Sequence, residues 1–178
     1  MKTILLVILI LVSVNSYCQL YITKTGYISF FSKTPLEDIK AYNNQVYAVI
    51  DVEKKNLAFT LLMKGFLFTR QLQQDHFNEN YIESDRYPKA SFSGSYIGFP
   101  VMNKDGSYAV TVKGDLTIHG ITKPLESAAT MEVKAGRLLG NCSFDIKPEN
   151  YNIIIPSLVR DKIAKKVTVT VQIDCSQH

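Results

Sequence analysis

Lys166-Val167-Thr168-Val169-Thr170-Val171-Gln172-Ile173-Asp174-Cys175 alternates an apolar side chain with a polar one for its whole length. In extended backbone successive side chains point to opposite faces, so this stretch predicts a strand with one dry and one wet face. The same period recurs upstream. Tyr108, Val110 and Val112 alternate with Ala109, Thr111 and Lys113, and Leu125, Ala129, Met131 and Val133 alternate with Glu126, Thr130, Glu132 and Lys134. Leu138 to Ile146 follows the same rule.

Counting such runs gives eight: Leu20 to Ser32, Gln45 to Val52, Leu57 to Met63, Ala90 to Ile97, Ser107 to Ile118, Leu125 to Lys134, Leu138 to Ile146 and Lys166 to Cys175. Turn chemistry punctuates them at Thr25-Gly26, Glu53 to Asn56, Asn103 to Gly106, His119 to Pro124 and Lys134 to Arg137 around Gly136. Hairpin-length connections predict antiparallel neighbours. Eight such strands, each with one apolar face, close most simply into an up-and-down barrel, so the expected class is an all-β, eight-stranded antiparallel barrel. Two stretches break the pattern. Thr69 to Tyr81 carries Leu72, Phe77 and Tyr81 at helical intervals and predicts one short helix closed by the Asp85 to Pro88 turn. Pro148 to Arg160, with Pro156 inside it, is a long loop bearing Tyr151, Ile153, Ile154 and Ile155, expected either as a flap at the barrel mouth or as a cover for the core.

Before the first strand, Lys2 supplies a positive charge and Ile4 to Val14 an apolar stretch of about eleven residues, followed by Ser13 to Cys18. This is the layout of a secretory signal peptide, too short for the roughly 20 apolar residues that span a bilayer. Cleavage after Cys18 places Ser16 and Cys18 at the small-residue positions and leaves Gln19 as the new N-terminus, so residues 1–18 are expected to leave and residues 19–178 to form one domain in the periplasm or outside the cell. A lipid anchor on Cys18 is the rival, and bulky Tyr17 fits it poorly. No later segment of the mature chain has transmembrane character.

The whole chain has 178 residues and a formal net charge of +4, which the loss of Lys2 lowers by one. That excess is spread thinly, which argues against nucleic acid as a partner. Cys142 and Cys175 remain after export, in a compartment that permits disulfides. Each shares its parity with apolar neighbours, Phe144 and Ile146 or Val171 and Ile173, so both are expected to face the interior, either bonded to one another or as two buried thiols.

Catalysis would need a base within reach of a nucleophile and an acid. Of the three His, His178 is terminal, while His76 and His119 fall on different predicted elements. His76 and Glu79, three apart on the predicted helix, offer two metal ligands without a second pair, and are read as surface polars. The cysteines lack CxxC spacing and the nine Gly form no phosphate loop, so no catalytic residue, metal or cofactor is expected. What remains is a binding protein. An eight-stranded barrel is either filled by its own side chains or wide enough for one small ligand. By parity, the interior candidates are Phe59, Phe92, Tyr108, Val110, Leu116, Met131, Phe144, Val169 and Val171. An outer-membrane barrel would need apolar outward faces, whereas Thr168, Thr170, Gln172, Glu126, Thr130, Glu132 and Lys134 point away from the dry side.

Gly114-Asp115-Leu116-Thr117-Ile118-His119-Gly120-Ile121-Thr122-Lys123-Pro124 resembles the signature of the YceI-like family. Tyr87-Pro88-Lys89-Ala90-Ser91-Phe92-Ser93-Gly94 is similar to the segment that precedes that signature, and His76 to Ser84 to the helix of the shorter, exported members. The resemblance spans nearly all of the mature chain. It implies a lipocalin-like barrel, export to the periplasm, and a polyisoprenoid or similar amphiphilic chain held in a long apolar tunnel, hence an isoprenoid lipid or other apolar small molecule as partner. The chain departs from the fuller pattern where Arg70-Gln71-Leu72-Gln73 replaces the usual arginine-aspartate-x-histidine-leucine segment, and its first strands are compressed. A shorter tunnel, a different ligand, or a filled barrel acting as a structural or protein-interaction module are the alternatives this leaves.

Overall fold

The computed structural model describes residues 19–33, 38–98, 100–155 and 166–178. The expected export segment, residues 1–18, and the Pro156 to Arg160 part of the long loop lie outside the described residues. Strands β1 (Leu20–Lys33), β2 (Asp38–Asp51), β3 (Asn56–Leu62), β5 (Lys89–Ile97), β6 (Gly106–Ile118), β7 (Ile121–Lys134), β8 (Arg137–Ile146) and β9 (Val167–Gln177) are antiparallel neighbours in one circuit, closed where β1 pairs with both β2 and β9. A two-residue strand, β4 (Leu67–Phe68), adds to β2 opposite Tyr42 and Ala41. The ring joins at its two ends of chain: Tyr21 faces Gln177, and the His178 amide donates to the Leu20 carbonyl at 2.9 Å.

Alternation decides these strands where it is unbroken, and side-chain hydrogen bonds decide them where it is not. Inward residues of β1 are Tyr21 and Thr23, then Gly26, and those of β2 are Ala41 and Asn43, then Val46, Ala48 and Ile50. The parity switch in each strand is a β-bulge, bracketing the Gly26–Val46 pair. Thr23 Oγ1 accepts the Thr25 amide at 3.3 Å and Asn43 Oδ1 accepts the Gln45 amide at 2.7 Å, local bonds that replace the ladder where it skips. Thr25-Gly26 is therefore a bulge within β1 and not a turn. Asn43 is fully buried and its Nδ2 donates to the Leu62 carbonyl at 3.0 Å, tying the end of β3 to β2.

Two hairpins turn on a pair of left-handed residues, one where the sequence placed its turn, at Lys134 to Arg137, and one tighter than expected. His119 and Gly120 have φ of 52° and 71°, and Ala135 and Gly136 have 49° and 76°, the two consecutive left-handed residues of a type I′ turn. The expected turn from His119 to Pro124 thus shrinks to two residues, and Pro124 sits in β7 opposite Asp115. Its missing N–H is harmless there, because β7 pairs with β8 only from Ala129 onward.

At one end of the barrel lie the β2–β3, β5–β6 and β7–β8 connections and a dry plug in which Leu138 faces both Val133 and Cys175. The other end carries the longer excursions. Between β3 and β5 the chain makes a turn at Met63–Gly65, then β4, then helix α1 (Gln71–His76), which continues through a wider π-type turn at Phe77–Tyr81. No helix of the described residues is long and apolar enough to cross a membrane.

Candidate functional site

The inward faces of the barrel and the excursion above it enclose a cavity of about 450 Å³. Seven of the nine residues expected inside line it: Phe59, Phe92, Leu116, Met131, Phe144, Val169 and Val171. Phe59 and Phe92 oppose one another across β3 and β5 with ring centroids 6.4 Å apart at 65°. Tyr108 and Val110 face inward but do not line the cavity. The Tyr108 hydroxyl donates to the Lys104 carbonyl at 3.3 Å, towards the plugged end, and Val110 is packed beneath Gly98, where an added Cβ would lie 2.7 Å from Val110 Cγ1. Parity reports which face a side chain takes and not its depth along the barrel.

Towards the open end, four phenyl rings form one cluster. Phe30 of β1 lies 5.3 Å from Phe66, 5.7 Å from Phe68 and 5.6 Å from Phe77, and Phe68 lies 5.0 Å from Phe77. All four line the cavity, as do Tyr81 and Ile82 below the helical turn. Phe66 and Phe68 escaped the sequence reading because they fall between elements, although the Phe-x-Phe spacing beside the amphipathic helix was the signal available. The helical spacing of Phe77 and Tyr81 turns both into the cavity. Leu72 touches the cavity while remaining 65% exposed, and Arg70, Gln73 and His76 give this rim its polar side.

The residues expected as a flap divide. Tyr151 and Ile153 are buried, Ile153 and Ile155 line the cavity, and Ile154 is 79% exposed. Tyr151 ends a helical turn, Pro148–Tyr151, that packs against β7, and its carbonyl accepts from His119 Nδ1 at 3.0 Å. The His119 ring rests on Tyr87 at 4.2 Å, with its Nε2 4.0 Å from Glu83 Oε2. His119 therefore binds three segments of the open end together. Burial pushes the Tyr151 and Tyr81 phenols up, and Tyr81 lines the cavity.

Cys142 and Cys175 are both free. The open choice between a bond and two thiols falls to two thiols, because β8 and β9 pair Cys142 with Val171 and Cys175 with Leu138. Cys142 lines the cavity and donates to Ser127 Oγ at 3.3 Å, and burial pushes its thiol up. His76 ends α1 and Glu79 lies in the following turn; among the described residues no three His, Cys, Asp or Glu converge as a metal site would need. The cavity wall is thus phenyl and aliphatic with polar groups at its edges, suited to desolvating a hydrocarbon chain at about 25 cal/mol per Å² removed from water.

Comparison with known proteins agrees with this architecture. The YceI-like domain matches residues 23–175. A UPF0312 protein of Pseudomonas fluorescens is 30% identical over 66 residues, which are 36% of this chain and 33% of that protein, so the chain matches about a third of its relative's length. Among solved structures, a polyisoprenoid binding domain from Saccharophagus degradans implicated in plant cell wall breakdown superposes with a TM-score of 0.77 at 11% identity, covering 90% of this chain and 99% of that one. Burkholderia cenocepacia BcnA gives 0.71 at 18% identity, covering 84% and 95%. A Campylobacter jejuni YceI protein gives 0.62 at 16% identity, covering 80% and 86%. At these identities the likeness establishes the lipocalin-like barrel fold.

Proposed function

Because the chain belongs to the YceI-like family, we propose that it is an exported binding protein that carries or sequesters one apolar or amphiphilic chain, such as a polyisoprenoid, inside its barrel. The observation that carries this reading is the 450 Å³ cavity walled by Phe59, Phe92, Leu116, Phe144, Val169 and the four-ring cluster. A filled barrel acting purely as an interaction module would have used that volume for its own side chains, as close packing demands elsewhere in protein interiors. The polyisoprenoid binding domain of Saccharophagus degradans, similar in fold over nearly its whole length, supports the ligand class. Holding such a chain asks for no catalytic group, and the reading is of a carrier and not an enzyme.

Export rests on residues 1–18, with cleavage after Cys18; β1 begins at Leu20, so such a cut leaves every strand whole. Intact-mass measurement of protein recovered from the periplasmic or secreted fraction tests this, with Gln19 expected at the N-terminus. A diacylated Cys18 in the membrane fraction would replace cleavage by anchoring.

The binding reading is tested by mass spectrometry of an organic extract of protein purified without detergent, alongside Ala90→Phe. Ala90 lines the cavity from β5, and a phenyl there occupies ligand space while gaining apolar contact. A single-chain lipid is expected in the wild-type extract and depleted in the variant. Lipid-free wild-type protein that also fails to take up N-phenyl-1-naphthylamine would overturn the reading.

A further inference from the structure

The circuit of strands is interrupted in β1–β9 between Ile22 and Tyr27, in β2–β3 beyond Tyr47–Thr60, and along one seam that lies between two long ladders. β6 and β7 pair from Gly106–Val133 to Ile118–Ile121, and β8 and β9 pair from Leu138–Cys175 to Ile146–Val167. Between them, β7 and β8 pair only from Lys134–Arg137 to Ala129–Cys142. Continuing that register would set Ser127 opposite Phe144 and Leu125 opposite Ile146, yet no ladder bond joins them, and among the described residues no other strand pairs with either edge. Leu125, Ser127, Phe144 and Ile146 all line the cavity, so the unzipped seam opens on its interior. Only side chains bridge its inner end: Cys142 donates to Ser127 Oγ at 3.3 Å, and Ser127 Oγ donates to the Ser143 carbonyl at 3.4 Å.

We propose that this seam between β7 and β8 is the doorway through which the apolar chain enters and leaves the barrel sideways, with the helical end serving as a fixed cap. The proposal rests on the reading that the cavity holds such a chain. Its basis is a comparison of what each route must break. Parting any fully paired strands breaks several backbone bonds, each worth about 0.5–1.5 kcal/mol net. Opening the helical end separates Phe30, Phe66, Phe68 and Phe77, whose mutual contacts are each worth about 0.5–1.5 kcal/mol beyond burial. Widening the seam breaks no ladder bond; it costs the weak thiol and hydroxyl contacts of Ser127 and, at the outer end, the packing of Pro148–Tyr151 on β7 with the bond from His119 to the Tyr151 carbonyl. Those same polar groups give the head of an amphiphile donors and acceptors at the point where its tail enters.

Ser127→Cys places a thiol beside Cys142 and allows a disulfide to staple the seam, which can be verified by peptide mapping. The readouts are equilibrium binding and stopped-flow loading of N-phenyl-1-naphthylamine, in oxidised and dithiothreitol-treated protein, with Ser127→Cys/Cys142→Ser as the variant that cannot close. The expected result is that oxidised and reduced forms of the variant both bind the probe at equilibrium, with loading at least about tenfold slower in the stapled form, equivalent to about 1.4 kcal/mol on the barrier, and restored by reduction. Equal loading rates in the two redox forms would overturn the doorway while leaving the cavity reading intact. Absence of probe binding in every form would overturn both. Should the staple not form, Ser127→Trp fills the seam instead, and loading as fast as wild type then counts against the proposal.

Discussion

Cys142 faces Val171 while Cys175 faces Leu138, so two cysteines on neighbouring strands, both turned inward, stand four residues out of register. At about 3.3 Å per residue their separation along the strands is about 13 Å, whereas a disulfide needs Cα atoms within about 7 Å. Chain parity brought them to one interior, and register keeps them apart.

Protein purified without reductant should therefore retain both thiols. Burial, joined by the neighbouring Asp174 carboxylate, pushes the Cys175 thiol up to about 12, leaving almost no thiolate at pH 8. Iodoacetamide at that pH should leave Cys175 unmodified in folded protein and modify it together with Cys142 in urea, as read by peptide mass mapping. A reductant-sensitive melting temperature would contradict the assignment.

Asn43 should be worth more than any surface polar group. Its amide satisfies the Leu62 carbonyl and its oxygen the Gln45 amide, and it is walled by Gly65, where a Cβ would lie 2.7 Å from Nδ2. Asn43→Leu removes the bonds of a fully buried amide to two backbone groups, a cost of about 1–3 kcal/mol. Urea denaturation should show this as a lowered midpoint with little change in slope, and a loss below 0.5 kcal/mol, within the usual range for surface positions, would rule out the anchoring role.

Acid should loosen the β2–β3 hairpin through Asp51. The Lys54 amide donates to Asp51 Oδ1 at 2.9 Å, with the Lys54 ammonium 3.4 Å from Oδ2, and the backbone bond is the main reason the carboxyl sits below its ordinary value. A lowered folded value means the unfolded chain binds the proton first. The stabilisation is therefore complete above the ordinary carboxylate range and is lost as pH falls through the folded value. Asp51→Asn keeps an oxygen acceptor without the titration, so the acid-limb fall in urea midpoint between pH 5 and pH 2 should be shallower in the variant. Parallel curves would remove Asp51 from the account.

The alternating strands were legible because their dry faces obey one parity from end to end, as in β9. β2 was half hidden: its first part, Asp38 to Asn44, buries Ala41 and the polar Asn43, and the bulge then reverses the parity that resumes at Val46. No pattern in a single sequence marks a polar residue that is buried because it caps a bulge. The cavity was legible in direction and not in extent. Phe59, Phe92 and Phe144 could be assigned to the inside, but Tyr108 and Val110 share their parity and belong to the packed end, and Phe66 and Phe68 reach the cavity from a connection with no period. The seam left no trace, since Leu125 and Ile146 alternate as faithfully as residues in a paired ladder.

The ring closes between its first and ninth strands, down to the bond from the His178 amide to the Leu20 carbonyl. Every strand but β1 can meet its preceding neighbour as the chain lengthens, yet β1 stays open on one side until β9 exists. Such non-local pairing slows folding relative to local contacts and keeps the ring incomplete until its last strand is available. A polypeptide still lacking its last strand therefore has neither the second neighbour of β1 nor the stretch of cavity wall that Val167, Val169, Val171 and Ile173 supply, and its interior stays open to water.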